Sequence, residues 1–365
     1  MITETKTMTE NPLKRTLAYG QSIWYDGLVT KEEFARLIQE DGVRGATTNP
    51  AIFEKALSGT EYNAEIAKLK NQSEEEIYRL LSVRAVQEVA DEFLNVYRQT
   101  RGHDGFVSIE VSPLLAYDTQ KTIEEARELW RLVGRKNVMI KVPATREGIP
   151  AIETLISEGI NVNITLIFSI ERHEEVMSAY IRGLEKRLAA EQPLTGIASV
   201  ASFFVSRVDS AVDKLLADKK NAAANALLGK VGIANSKAAY DAFRKNFYGK
   251  RFEKLKAAGA QVQRPLWAST GTKNPAYKDV LYVEELMGVD TVNTVPPPTL
   301  DAFRDHGVPG ARLDKEMQSA YGVLESLKSF GISLSQVTEE LEKAGVKAFN
   351  EAYLKIMEGI KVKKQ

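Results

Sequence analysis

Eight short strand-forming segments alternate with helical stretches along this chain, and few folds accept that order. The segments are SIWYD (22–26), GATTN (45–49), FVSIEV (106–111), NVMIKV (137–142), NVNITLIF (161–168), GIASVAS (196–202), RPLWAS (264–269) and DTVNTV (290–295). Between them lie helix start signals with capping-box spacing at Thr30 and Glu33, Ser73 and Glu76, and Thr122 and Glu125. Gly42, Gly102 and Gly134 fall where those helices should end. Strand and helix repeated eight times predict a parallel (β/α)8 TIM barrel ringed by helices.

The remainder is additional helix. Residues 206–260 are too long for one crossover and read as a helical insertion between the sixth and seventh strands. After PPP at 296–298, residues 299–361 read as three further helices. The last of these, from about Ser335, carries Val337, Leu341, Val346, Phe349, Tyr353 and Ile356 as an apolar stripe that predicts packing on the barrel. Residues 1–15 read as a loose lead-in and the closing KVKKQ as a solvated tail. We therefore expect residues 1–365 to form a single barrel domain.

Composition narrows the function. With 49 basic and 49 acidic residues the formal charge is zero, so no global field attracts nucleic acid or a membrane surface. Any anionic substrate must be held locally. The chain has no cysteine, which excludes disulfides and thiolate chemistry and fits a cytoplasmic protein. No apolar run approaches the ~20 residues of a membrane helix.

Within the strands, alternation separates two faces. Val107, Ile109 and Val111 oppose Ser108 and Glu110; Val138, Ile140 and Val142 oppose Lys141; Val162, Ile164 and Leu166 oppose Asn161, Asn163 and Thr165. The apolar face suits the helices, so the polar face looks into the barrel. Asp26 and Asn49 close the first and second strands. Each residue alone has an ordinary structural use: Lys141 could snorkel or pair with Glu110, Asp26 could make a turn before Gly27, and Asn49 could make one before Pro50. Together, Asp26, Asn49, Glu110, Lys141, Asn163 and Thr165 are predicted to meet at the carboxyl ends of the strands, where parallel barrels build active sites.

Lys141 sets the chemistry. An ammonium buried among apolar neighbours has its pKa pushed down, and a neutral amine attacks carbonyl carbon. The chain thus suggests Schiff-base catalysis. After the sixth strand come Ser202 and Arg207, and after the seventh STGTKNP with Ser269 and Lys273, hydroxyls and cations placed as phosphate cradles are in such barrels. Arg207 could instead pair with Asp209 or Asp213. His103, His173 and His306 lie away from strand ends without metal-ligand spacing, so surface positions and no metal are expected. Neither GxGxxG nor GxxxxGK[ST] occurs.

The segments TNPAIFEKA, IKVPAT and NITLIFS, with VSIEVSPLLAYDT, ASFFVSRVD and PLWASTGTKNP, resemble the transaldolase family over nearly the whole chain. The resemblance is to its longer form, without a fused phosphoglucose isomerase domain. It implies a cofactor-independent enzyme of the non-oxidative pentose phosphate pathway. Such an enzyme moves a dihydroxyacetone unit between sugar phosphates. From the sequence itself we expect a monomer or homodimer that binds neither nucleic acid nor membrane.

By the same resemblance Lys141 forms the Schiff base, Asp26 takes the C4 hydroxyl proton, and Glu110 with Thr165 manages water. Asn49 and Asn163 hold hydroxyls, and Ser202 and Arg207 bind substrate and phosphate; Ser269 and Lys273 are expected to join them from the residues of their own loop. Shorter members place an arginine after the seventh strand; here Lys273 is the nearest cation. A fructose-6-phosphate aldolase that releases dihydroxyacetone is the neighbouring activity. A sugar-phosphate-binding barrel without catalysis is the alternative of another class.

Overall fold

A computed structural model describes residues 11–364. It contains a closed barrel in which strands β1 (Gln21–Asp26), β2 (Ala46–Thr47), β3 (Val107–Glu110), β4 (Val138–Pro143), β5 (Val162–Ile167), β6 (Ser199–Phe204), β7 (Arg264–Ala268) and β8 (Thr291–Val295) follow one another in chain order. Every neighbouring pair is parallel, β8 returning to β1. All eight expected strands are present. The sixth lies two to three residues later than expected, which brings Ser202 inside it and Phe204 to its end.

The two faces separate largely as the alternation requires. Val107, Ile109, Val138, Ile140, Val142, Val162 and Ile164 pack outward with helix residues such as Ile123, Leu129, Ile152, Leu155 and Val176. The barrel interior is filled by Trp24, Met139, Val200, Leu266 and Val292. One parity assignment fails. A bulge interrupts β5 between Ile164 and Ile167, and Leu166 takes φ +60°, so Ile167 occupies the outer layer and Leu166 turns to the inner cluster. A left-handed φ at a residue with a γ-branched side chain is costly, so the surroundings must hold it.

Local signals explain most helix ends. Thr30 and Ser73 cap the helices Lys31–Arg36 and Glu74–Gln99, accepting from the Glu33 and Glu76 amides. Gly42 and Gly134 close their elements at positive φ, where glycine has no steric penalty. Thr122 is not a cap. The helix Thr119–Val133 starts earlier, capped by Asp118, because that carboxylate accepts the Lys121 amide while the Thr122 hydroxyl donates to the Leu115 carbonyl.

The insertion after β6 is helical, with Ser206–Ala217 and Val231–Phe247 as its main pieces, and Pro297–His306, Met317–Ser329 and Leu334–Lys364 follow β8. Of the expected lead-in, residues 1–10 lie outside the described residues, and Pro12–Arg15 is a helical turn capped by Asn11. The basic end is solvated only in part, Lys361 and Val362 being exposed while Lys363 and Lys364 are anchored. Lys363 and Lys364 donate to the carbonyls of Leu57, Gly59 and Gln72, and Lys364 also meets Glu74, because these long side chains reach backbone oxygens left open where nearby segments end. Among the described residues no helix is long and apolar enough to cross a membrane.

Candidate active site

A cavity of about 200 Å3 opens at the carboxyl ends of the strands. Its walls carry Asp26, Asn49, Lys141, Thr165, Ser202, Arg207, Ser269 and Lys273 together with Thr47, Thr294, Phe204 and Phe349. Register explains the convergence: Glu110, Lys141 and Asn163 sit abreast on β3, β4 and β5. Residues two positions apart face the same way, so Lys141 and Thr165 deliver their side chains to one bowl.

Lys141 is buried, but its surroundings are not the apolar ones expected. Its Nζ donates to the Thr48 carbonyl at 3.0 Å and lies 3.2 Å from Glu110 Oε2, with the Phe349 ring centroid 5.8 Å away. The charge is buried because it is paired. Burial pushes the Glu110 carboxyl up, and nearby Lys141 pulls it partly back. Neither carboxylate oxygen has a hydrogen bond of good geometry, and Thr165 Oγ1 is likewise buried without a partner. An amine, a carboxyl able to hold a proton and a free hydroxyl therefore stand together with spare bonding capacity.

Glu110 and Asn163 do not reach the cavity wall. Glu110 stands behind Lys141, and Asn163 stands behind Ser202. The Asn163 Nδ2 donates to Ser108 Oγ at 2.9 Å, and its Oδ1 accepts from Ser202 Oγ at 2.7 Å. Asn161, on the same parity, is spent on the backbone of Lys136, Val138 and Ala198 at the other end of the strand. Asn49 lines the cavity and also caps the helix Pro50–Ser58 through Oδ1, which fixes its rotamer and leaves its NH2 unspent.

Across the bowl, Asp26 Oδ1 accepts from Thr47 Oγ1 at 2.7 Å, and Thr47 is 2.6 Å from Thr294 Oγ1. Burial raises the Asp26 pKa, opposed by the Thr47 bond and by Lys141 and Lys273. Thr47 and Thr294 were absent from the expected set. Their signal was available, since Thr47 shares the parity of Asn49 and Thr294 sits near the end of the eighth strand.

At the far wall, Arg207 opens the helix Ser206–Ala217, whose positive end faces the cavity. The expected alternative pairing is not made. Asp209 accepts the Gly232 amide, and Asp213 takes the Gly229 amide and the Tyr277 hydroxyl, leaving the guanidinium 5.3 Å from the Phe204 ring centroid. Desolvation lowers the Arg207 pKa. Ser269 holds φ +57°, with its hydroxyl 2.8 Å from that of Ser206, and exposed Lys273 follows on the same loop. Two cations, two hydroxyls and a helix amino terminus thus gather at the pocket that also holds the Lys141 amine.

The histidine expectation holds in part. His306 is exposed between Asp279 and Asp305, and His103 is exposed with its ring near Arg264. His173 is fully buried, edge-on to Phe203, because the helix Ile170–Ala189 turns that face onto the barrel.

The pocket thus gathers a buried lysine paired with one carboxyl, a second carboxyl across from it, and two cations on its wall. The family described as Transaldolase/Fructose-6-phosphate aldolase matches residues 23–360. A transaldolase of Trichodesmium erythraeum is 45% identical over 98% of this chain and 99% of its own length. Transaldolase 1 of Streptomyces coelicolor is 46% identical over 99% and 97%, and a transaldolase of Mycolicibacterium smegmatis 46% over 96% and 97%. On that match, carried across the barrel and the helices after it, the chain belongs to the transaldolase/fructose-6-phosphate aldolase family.

Proposed function

We propose that this chain, an enzyme of the transaldolase type, moves a dihydroxyacetone unit from a ketose phosphate to an aldose phosphate through a Schiff base on Lys141. The donor is fructose 6-phosphate or sedoheptulose 7-phosphate, and the acceptor is erythrose 4-phosphate or glyceraldehyde 3-phosphate. The observation that carries the mechanism is the buried Lys141 amine beside an under-bonded Glu110, in a bowl whose opposite wall is cationic.

In this reading the Lys141 ammonium gives a proton to Glu110, 3.2 Å away, and the amine so freed attacks the C2 carbonyl. Glu110 suits that exchange because burial has raised its pKa toward the pH at which it must both hold and release a proton. Glu110 then gives the proton to the carbinolamine hydroxyl, which leaves as water hydrogen-bonded to the free Thr165 hydroxyl. The protonated imine then accepts the electron pair of the C3–C4 bond, while Asp26 takes the C4 hydroxyl proton and the Thr47 bond fixes its direction. Asn49 reaches the hydroxyls directly; Asn163 acts through Ser202, whose hydroxyl it orients. Arg207 and Lys273 hold the phosphate, the first from a helix terminus and the second as a flexible point charge.

The reading places the chain in the non-oxidative pentose phosphate pathway and in the cytoplasm, as a monomer or homodimer that needs no cofactor. Its test is a transfer assay with fructose 6-phosphate and erythrose 4-phosphate. Formation of sedoheptulose 7-phosphate, lost in Lys141→Ala, is expected. Transfer that survives Lys141→Ala would refute the mechanism.

A further inference from the structure

The last helix, Leu334–Lys364, does more than pack on the barrel. Its basic end is fixed to the backbone of residues 57–72 and to Glu74, and nearer its start Glu342 meets Arg172 at 3.3 Å. Between these anchors it crosses the mouth of the bowl. Gly345 allows the crossing, since a Cβ there would come within 2.9 Å of Leu166 Cδ2, the side chain that the β5 bulge turns inward. Phe349, one helical turn on and therefore on the same face, enters the bowl wall above Lys141 and is only 5% exposed.

An aromatic ring at this place acts in two ways. It attracts a cationic nitrogen through its π face, and it occupies the volume through which water would reach the carbon attached to that nitrogen. The second effect matters for the reaction, because the enamine left on Lys141 after donor cleavage has two fates.

In transfer, its C3 electron pair bonds to the acceptor carbonyl carbon, and the acceptor oxygen takes the proton held by Asp26. In release, C3 takes a proton from water and the hydroxide takes the Asp26 proton. The imine is then hydrolysed by a water equivalent to the one lost when it formed. Free dihydroxyacetone and the Lys141 amine result.

Building on the transaldolase reading above, we propose that Phe349 biases the enamine toward the first of these fates. Its ring excludes water from the enamine, so the three-carbon unit waits for an aldehyde. Phe204, the other aromatic ring lining the bowl, stands beside Arg207 instead.

The test compares the full chain with Phe349→Ala and Phe349→Leu in D2O, measuring dihydroxyacetone release from fructose 6-phosphate alone and transfer to erythrose 4-phosphate. Phe349→Ala should raise the release-to-transfer ratio by about tenfold or more, with deuterium at C3 of the released molecule and the Lys141 adduct still trappable. Phe349→Leu, which keeps an apolar cover, should stay within about threefold of the parent. Should the alanine variant not fold, Phe349→Gln keeps the bulk, admits water and should show the same rise. Equal loss of both activities, or an unchanged ratio, overturns the proposal. A parent chain that yields no adduct at all instead refutes the reading on which it rests.

Discussion

Two buried ion pairs stand at opposite ends of the same barrel, and they are built differently. At the amino end, Arg264 meets Asp104 at 2.9 Å, and the pair is saturated. Asp104 also accepts from Ser22 Oγ at 2.7 Å and Trp24 Nε1 at 3.1 Å, while Arg264 donates to Ser22 Oγ and the His103 carbonyl and lies 6.0 Å from the Trp24 ring centroid. At the carboxyl end, Lys141 and Glu110 share one 3.2 Å contact, and the carboxylate has no well-directed hydrogen bond. A buried charge that only supports the fold has every bond filled, since each vacancy costs stability. A charge that must exchange a proton keeps vacancies.

The contrast can be broken at either end. Lys141→Ala should reduce transfer by at least about 10^4-fold, because no other group supplies the nucleophile. Circular dichroism should show the fold retained, and a stopped assay measures the loss. Asp26→Asn, which keeps the Thr47 contact, should slow C–C cleavage by about 10^2 to 10^4-fold while leaving Schiff-base formation nearly intact. Single-turnover trapping separates the two steps.

At the amino end the expected loss is one of stability. Asp104→Ala strands the Arg264 guanidinium and should destabilise the chain by about 3 to 5 kcal/mol, with kcat of the remaining folded protein close to the parent value. Urea titration measures the first quantity and kinetics the second. A large fall in kcat with little change in stability would erase the distinction between the two pairs.

His173 gives the smallest effect. Desolvation pulls its imidazole down to about 4, below its ordinary 6.5, so the unfolded chain binds the proton first as pH falls. Its contribution is fully present above the ordinary value, and it is lost as pH drops from about 6.5 toward 4. His173→Leu should therefore flatten the fall in melting temperature over that window. A parent chain whose acid sensitivity is unchanged by the substitution would count against a neutral buried imidazole.

The strands and the ring of helices were legible because alternation, caps and glycines all act locally, and in a parallel barrel one face of each strand must be polar only where chemistry or a satisfied bond requires it. The same reasoning located Asp26, Asn49, Lys141 and Thr165. Depth within the bowl was not legible. Glu110 and Asn163 share the parity of the wall residues but stand behind them, and parity does not report the layer.

Arg264 offers the same kind of signal as Lys141, a charge within a strand, but it opens its strand and no local pattern names its partner. Its partner Asp104 lies in a loop 160 residues away. Phe349 belonged visibly to an apolar stripe, but nothing local says that one member of the stripe overhangs Lys141. That contact depends on the Leu166 bulge, which no glycine announces, and on Gly345 closing against it.

The central claim is that Lys141 carries the substrate covalently. Borohydride reduction in the presence of fructose 6-phosphate, followed by intact mass measurement and peptide mapping, tests it directly. A reduced dihydroxyacetone adduct confined to the peptide containing Lys141 is the expected result. A folded chain that turns over donor and acceptor yet yields no adduct at Lys141 would contradict the account.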